Sequence, residues 1–164
     1  MTDRILIVED DVSVRESLLS LLESKDYVVE SASDGEQALE AVEQRDYDVL
    51  LLDLQLPKVS GMEVLANAKK LSPDTSIVIL TAHGSIQSAV EALKLGAEDY
   101  LEKPCDVEQL QKMLEKIFAR KLFLRGNRKG QNVDRALRIS SGNRHQCSAS
   151  MSLLRLLRRA IPTY

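Results

Sequence analysis

At 164 residues, with 44% hydrophobic and only 4% aromatic content, the chain has room for one domain with an aliphatic core plus an extension. Two cysteines, Cys105 and Cys147, make neither a disulfide framework nor a zinc spacing, and no apolar run approaches the roughly 20 residues of a membrane helix. The net charge of −3 conceals a division: residues 1–119 carry 11 Lys/Arg against 24 Asp/Glu, while residues 120–164 carry 11 Lys/Arg against Asp134 alone.

The start, "MTDRILIVEDD", has acids where a signal peptide would be apolar, so a cytoplasmic location is expected. "ILIV" at 5–8 predicts a strand. Ser13 is the expected cap of a helix reaching about Ser24, with Val14, Leu18, Leu21 and Leu22 on one face. "YVVESA" at 27–32 is a partly alternating strand, and Asp34-Gly35 turns the chain into the helix "EQALEAVEQ". "VLLL" at 49–52 is a wholly apolar strand, and Gly61 opens a helix stopped by Ser72-Pro73. "SIVIL" at 76–80 is the fourth strand, and "SIQSAVEALKLG" is a helix ending at Gly96. "DYLEKP" holds a fifth strand, and a last amphipathic helix runs from 106 to 124.

Five strand–helix units with continuous apolar strands predict an α/β fold with a parallel sheet covered on both faces. In such sheets ligands bind outside the carboxyl ends of the strands. Those ends carry Glu9, Asp10 and Asp11 after the first strand, Asp53 after the third, Thr81 after the fourth and Lys103 after the fifth. Taken singly, each is an ordinary turn, cap or loop residue. Together they are unusual. Clustered carboxylates repel unless a cation joins them, and hard oxygen ligands suit Mg²⁺. A lysine and a hydroxyl can meet an anion, and an aspartate can act as a nucleophile toward phosphorus. Phosphoryl transfer asks mainly for positioning and charge neutralisation, which this set supplies.

The motifs "ILIVEDD", "LLDLQLPKVSGMEVL", "IVILTAHGS" and "DYLEKP" resemble the receiver domain of bacterial two-component response regulators over about residues 3–122. Within that family, "TAHGSIQSAVEALKLGAEDYLEKP" is most similar to receivers of enhancer-binding, nitrogen-regulator-type transcriptional activators. The resemblance implies a flavodoxin-like (βα)5 sheet of strand order 2-1-3-4-5. It implies that Asp53 accepts a phosphoryl group from a histidine kinase. Glu9, Asp10, Asp53 and the Gln55 main-chain carbonyl match the Mg²⁺ ligands, with Asp11 an additional candidate. Thr81 and Tyr100 match the switch positions, Lys103 the phosphate-pairing lysine, and Gln55 and His83 the positions that tune dephosphorylation. Family members often dimerise on phosphorylation. In the family the bond matching Lys103-Pro104 is cis, which this sequence does not itself reveal. Two other classes are weighed against this one. A phosphatase with an Asp nucleophile and Mg²⁺ normally carries D-x-D after its first strand, which "EDD" lacks. An inert flavodoxin-like binding module would not need the acidic pair, Asp53, Thr81 and Lys103 together.

On this reading residues 1–124 are the receiver. Residues 125–150, rich in Arg, Ser, Gly and Asn, are expected to be a flexible linker, and "MSLLRLLRRAIPTY" at 151–164 a short helical segment. That segment vaguely resembles the first helix of the ATPase output domain of enhancer-binding activators, which favours a truncated multidomain regulator. The chain contains no G-x-x-x-x-G-K-[ST] loop and so is not itself that ATPase. A basic tail touching nucleic acid by charge, a membrane-surface helix, and a fragment without a partner of its own are the other readings. Output or DNA contact is therefore expected only through a missing C-terminal region, and no membrane partner is expected.

Overall fold

The structure, a computed structural model, describes residues 3–141, with side chains described as far as Arg125. In chain order the elements are β1 (Arg4–Val8), α1 (Val12–Glu23), β2 (Val28–Ala32), α2 (Gly35–Gln44), β3 (Val49–Leu52), α3 (Gly61–Leu71), β4 (Ser76–Thr81), α4 (Ile86–Lys94), β5 (Asp99–Glu102) and α5 (Val107–Ser141). All strand pairs are parallel, in the order β2-β1-β3-β4-β5. The parallel sheet is what the strand patterns predict, and its order is the flavodoxin-like one that the family resemblance implies.

The apolar runs become the central strands because both sheet faces are covered. Alternate side chains point to opposite faces. Leu6, Val8, Leu50, Leu52, Ile77 and Ile79 join Ala38, Val42, Val64, Leu65 and Ala68 of α2 and α3 in one core. Ile5, Ile7, Val49, Leu51, Val78 and Leu80 meet Leu18 and Leu22 of α1 and Leu110, Leu114 and Ile117 of α5 in the other. Burying each such Leu, Ile or Val contributes about 1.5–3 kcal/mol relative to leaving it exposed. In register, Val8 lies beside Ala32 and Leu52, so β1, β2 and β3 end level, while Leu52 lies beside Ile79 and β4 and β5 run two residues further, to Thr81 and Glu102.

Local signals place the helix ends. Ser60 and Glu63 form a reciprocal capping box that starts α3. α4 ends in a Schellman motif: the Ala97 amide donates to the Ala92 carbonyl, the Gly96 amide to the Leu93 carbonyl, and Gly96 has φ +100°. The cap of α1 is Asp11, not Ser13, because its carboxylate accepts from the amides of Ser13 (2.8 Å) and Val14 (3.1 Å), the usual reach of an N-cap. Thr81 is the last residue of β4 rather than a loop residue after it.

α5 also departs from expectation. It continues through residues 125–141, where composition predicts a linker. No proline interrupts the sequence there, and Arg, Lys, Leu, Ala and Gln favour helix, whereas Gly126 and Gly130 each cost only about 1 kcal/mol. A compact unit spans Met1–Arg120. The rest of the expected linker and the helical segment at 151–164 lie outside the described residues. Among the described residues, no helix is long and apolar enough to cross a membrane.

The β3–α3 loop is drawn tightly under the end of β3. The Gly61 amide donates to the Leu54 carbonyl at 3.0 Å. A Cβ on Gly61 would lie 2.2 Å from the Asp53 carbonyl oxygen and 2.5 Å from Leu54 Cα. Backbone cannot yield as a flexible side chain can, so Gly61→Ala is expected to destabilise the domain by at least about 1–3 kcal/mol. Urea unfolding checks this, and an unchanged midpoint would contradict the close approach.

Candidate functional site

Main-chain ladder bonds extend one residue past the strands and carry the chemical groups with them. The Glu9 amide donates to the Ala32 carbonyl, the Asp53 amide to Val8, and the Lys103 amide to Thr81, at 3.1, 3.0 and 2.8 Å. A buried strand can thus end on a carboxylate whose backbone is already fixed. Glu9 is 2% and Asp53 6% exposed, while Asp10 is exposed.

Carboxylate oxygens of Glu9, Asp10 and Asp53 lie within 4.8 Å of one another. The Lys103 ammonium donates to Asp53 Oδ2 at 2.6 Å and to Glu9 Oε2. Asp53 Oδ1 accepts from the Gln55 amide at 3.0 Å, and Glu9 Oε1 from the Asp11 amide at 3.3 Å. Burial works to lower the Lys103 ammonium, but its bonds to Asp53 and Glu9 outweigh that and hold it above its ordinary value. Burial pushes the Glu9 carboxyl up; Lys103 offsets part of this, and the Asp53 charge adds to it. One ammonium among three carboxylates leaves the cluster short of positive charge. An all-oxygen donor set in that condition can accept a hard divalent cation.

The other predicted residues take distinct places. Asp11 spends its carboxylate on capping α1 and stands outside the three-acid cluster. Thr81 is fully buried, and its hydroxyl oxygen accepts from the His83 amide at 3.4 Å. His83 itself is exposed. Tyr100, half-buried on β5, shares a 3.1 Å hydrogen bond between its hydroxyl and that of Ser88 on α4. The Lys103-Pro104 bond is cis. Beside Lys103, a cleft of about 610 Å³ opens along α1 and the start of α5, with Cys105 in its wall. Burial pushes the Cys105 thiol up, away from the reactive thiolate.

Arg15 and Ser88 escape sequence reasoning. The Arg15 guanidinium donates to the carbonyls of Glu9 (2.7 Å) and Asp10 (3.2 Å), bracing the turn that presents both acids. The available signal was a cation in the first turns of a helix, where the dipole disfavours it unless something else holds it. For Ser88 the signal was the Ser85-x-x-Ser88 spacing at the start of α4.

Residues 5–115 match the response regulator receiver domain family. The transcriptional regulatory protein ZraR of Escherichia coli O157:H7 is 44% identical over 115 residues, covering 70% of this chain and 26% of that protein. The chain thus spans about a quarter of the length of that relative. A CheY-like receiver domain protein from Methanospirillum hungatei superposes with a TM-score of 0.70 at 33% identity, over 74% of this chain and 98% of the other. A Burkholderia pseudomallei response regulator, solved with a phosphorylated aspartic acid, a calcium ion and citrate, gives 0.65 at 28% identity, over 86% and 87%.

The raised Glu9 carboxyl has a measurable consequence. Its folded value lies above the ordinary 4.5, so its contribution to stability is fully present below about pH 4.5 and is lost as pH rises through the folded value. Without divalent cations, Glu9→Gln should therefore gain on the wild type in unfolding free energy between pH 4.5 and 8. A difference that stays constant across that range, measured by urea unfolding, would contradict the buried-charge account.

Proposed function

The chain belongs to the response regulator receiver family, and we propose that Asp53 is the residue on which it accepts a phosphoryl group from a histidine kinase. It is a signalling domain of a two-component system. The observation that carries the proposal is the Asp53 carboxylate, buried at the sheet edge, oriented through both oxygens and faced by a lysine and two further acids.

An Asp53 oxygen attacks the phosphorus of the phosphoimidazole. The P–N bond breaks as the P–O bond of an acyl phosphate forms, and the imidazole nitrogen leaves and takes a proton from solvent. Glu9, Asp10, Asp53 and the Gln55 carbonyl would hold Mg²⁺. When bound, that ion supplies positive charge to the transferring oxygens. The capping role of Asp11 argues against its being a ligand. Lys103, already on Asp53, follows the charge onto the phosphoryl oxygens. The Thr81 hydroxyl gives up its contact with the His83 amide and donates to a phosphoryl oxygen. Tyr100 then leaves Ser88 and turns inward as Thr81 moves. Phosphorylation shifts a pre-existing equilibrium, because those oxygens are reachable only in the active arrangement. Gln55 and His83, beside the nucleophile and the hydroxyl, govern how quickly water removes the phosphoryl group. The same site accepts phosphoryl groups from small donors.

The likeness to a transcriptional regulator favours an enhancer-binding output, reached through a C-terminal region, with a phosphorylation-dependent homodimer. The Burkholderia relative supports both aspartate phosphorylation and a divalent cation in this fold.

The test is intact mass after incubation with acetyl phosphate and Mg²⁺. The wild type should gain one phosphoryl group, and neither Asp53→Asn nor wild type in EDTA should gain any. Equal gain in Asp53→Asn would overturn the assignment.

A further inference from the structure

Lys58, in the β3–α3 loop, has φ +68°, a left-handed conformation that glycine adopts freely and lysine does not. Its side chain supplies a reason to stay there. The ammonium donates to Asp34 Oδ2 and Glu36 Oε2, both at 3.0 Å. Asp34 is nearly buried and caps α2 by accepting from the Gln37 amide at 2.9 Å. Bonds to Asp34 and Glu36 raise the Lys58 ammonium, and the Gln37 amide together with Lys58 lowers the Asp34 carboxyl. On one side of Lys58, the Val59 amide donates to the Pro57 carbonyl at 2.9 Å. Val59 packs so close to α2 that a Cβ on Gly35 would lie 2.8 Å from Val59 Cβ. The loop closes on itself where the Gly61 amide meets the Leu54 carbonyl. Gln55 lies inside that closed loop, its amide on Asp53.

The loop is thus held at its base by β3 and at its tip by Lys58. We propose that Lys58 is a positioning residue for the phosphoacceptor site: by tying the loop tip to the start of α2, it fixes the Gln55 main chain beside Asp53 and so sets the affinity of the site for Mg²⁺. This rests on the reading of Glu9, Asp10, Asp53 and the Gln55 carbonyl as the Mg²⁺ ligands. Groups behind the ligands of a metal site regularly govern affinity in this way.

The sign of the effect separates positioning from simple charge. Removing a cation near an acidic site should tighten cation binding if only the long-range field mattered. Loss of a tether should weaken it.

The experiment is calorimetric titration of the full chain with Mg²⁺, alongside melting of the metal-free protein. Lys58→Ala should raise the Kd by at least about threefold, and Lys58→Arg should stay within about twofold of wild type. Lys58→Gly accepts the left-handed backbone without strain but lacks the ammonium; it should melt near the wild type yet bind Mg²⁺ as weakly as Lys58→Ala. Unchanged or tighter binding in Lys58→Ala, or wild-type binding in Lys58→Gly, would overturn the role of Lys58 while leaving the functional reading intact. Failure of the wild type itself to bind Mg²⁺ would overturn both.

Discussion

The ammonium of Lys103, shared between Asp53 and Glu9, is the interaction on which the site depends. Two carboxylates this buried and this close cannot both stay ionised without a cation between them. Lys103 supplies one positive charge, and Asp10 adds a further negative one at the rim. The balance holds the site together yet leaves it wanting more positive charge. Burial pushes the Glu9 carboxyl toward its neutral form, Lys103 opposes this, and the neighbouring Asp53 charge adds to it. Such surroundings welcome a cation and, in the proposed function, the oxygens of a phosphoryl group on Asp53.

The sheet makes the balance geometrically possible. Glu9, Asp53 and Lys103 sit one residue beyond β1, β3 and β5, each anchored by a ladder bond to the neighbouring strand. Their relative positions are thus set by strand register, which the two aliphatic cores hold. The loops beyond are fastened by shorter-range devices. Asp11 caps α1, Arg15 braces the turn of Glu9 and Asp10, Gly61 lets the β3–α3 loop pass under Asp53, and Lys58 ties the tip of that loop to α2. The side chains of Thr81 and Tyr100, proposed to change partners on phosphorylation, are fastened less firmly. Thr81 has a long contact to the His83 amide and Tyr100 a single bond to Ser88, so both can exchange partners at small cost.

Much of this was legible in the sequence because it rests on patterns of apolar residues. "ILIV", "VLLL" and "SIVIL" can hardly be anything but strands buried on both faces, and the groups following them had to converge on one edge. Less legible were features that depend on competition between neighbours. Asp11 and Ser13 are both good caps, and only the path of the chain out of β1 decides between them. Arg15 bonds to carbonyls, which leave no trace in composition. The left-handed backbone at Lys58 is hidden because the residue there is not glycine. α5 overran its expected end because polar, Gly-containing composition suggested a linker, while the helix-forming residues among those glycines were enough to continue it. The cis bond at Lys103-Pro104 is a choice that tertiary structure makes and sequence does not state.

A three-acid edge short of positive charge should be completed by a divalent cation. The most direct test is the thermal unfolding midpoint of the full chain in MgCl₂ against NaCl at matched ionic strength. The midpoint should rise with Mg²⁺ concentration as expected for a ligand binding only the folded state, and by more than the screening effect seen in NaCl. Identical midpoints in the two salts, at every concentration up to tens of millimolar, would contradict it.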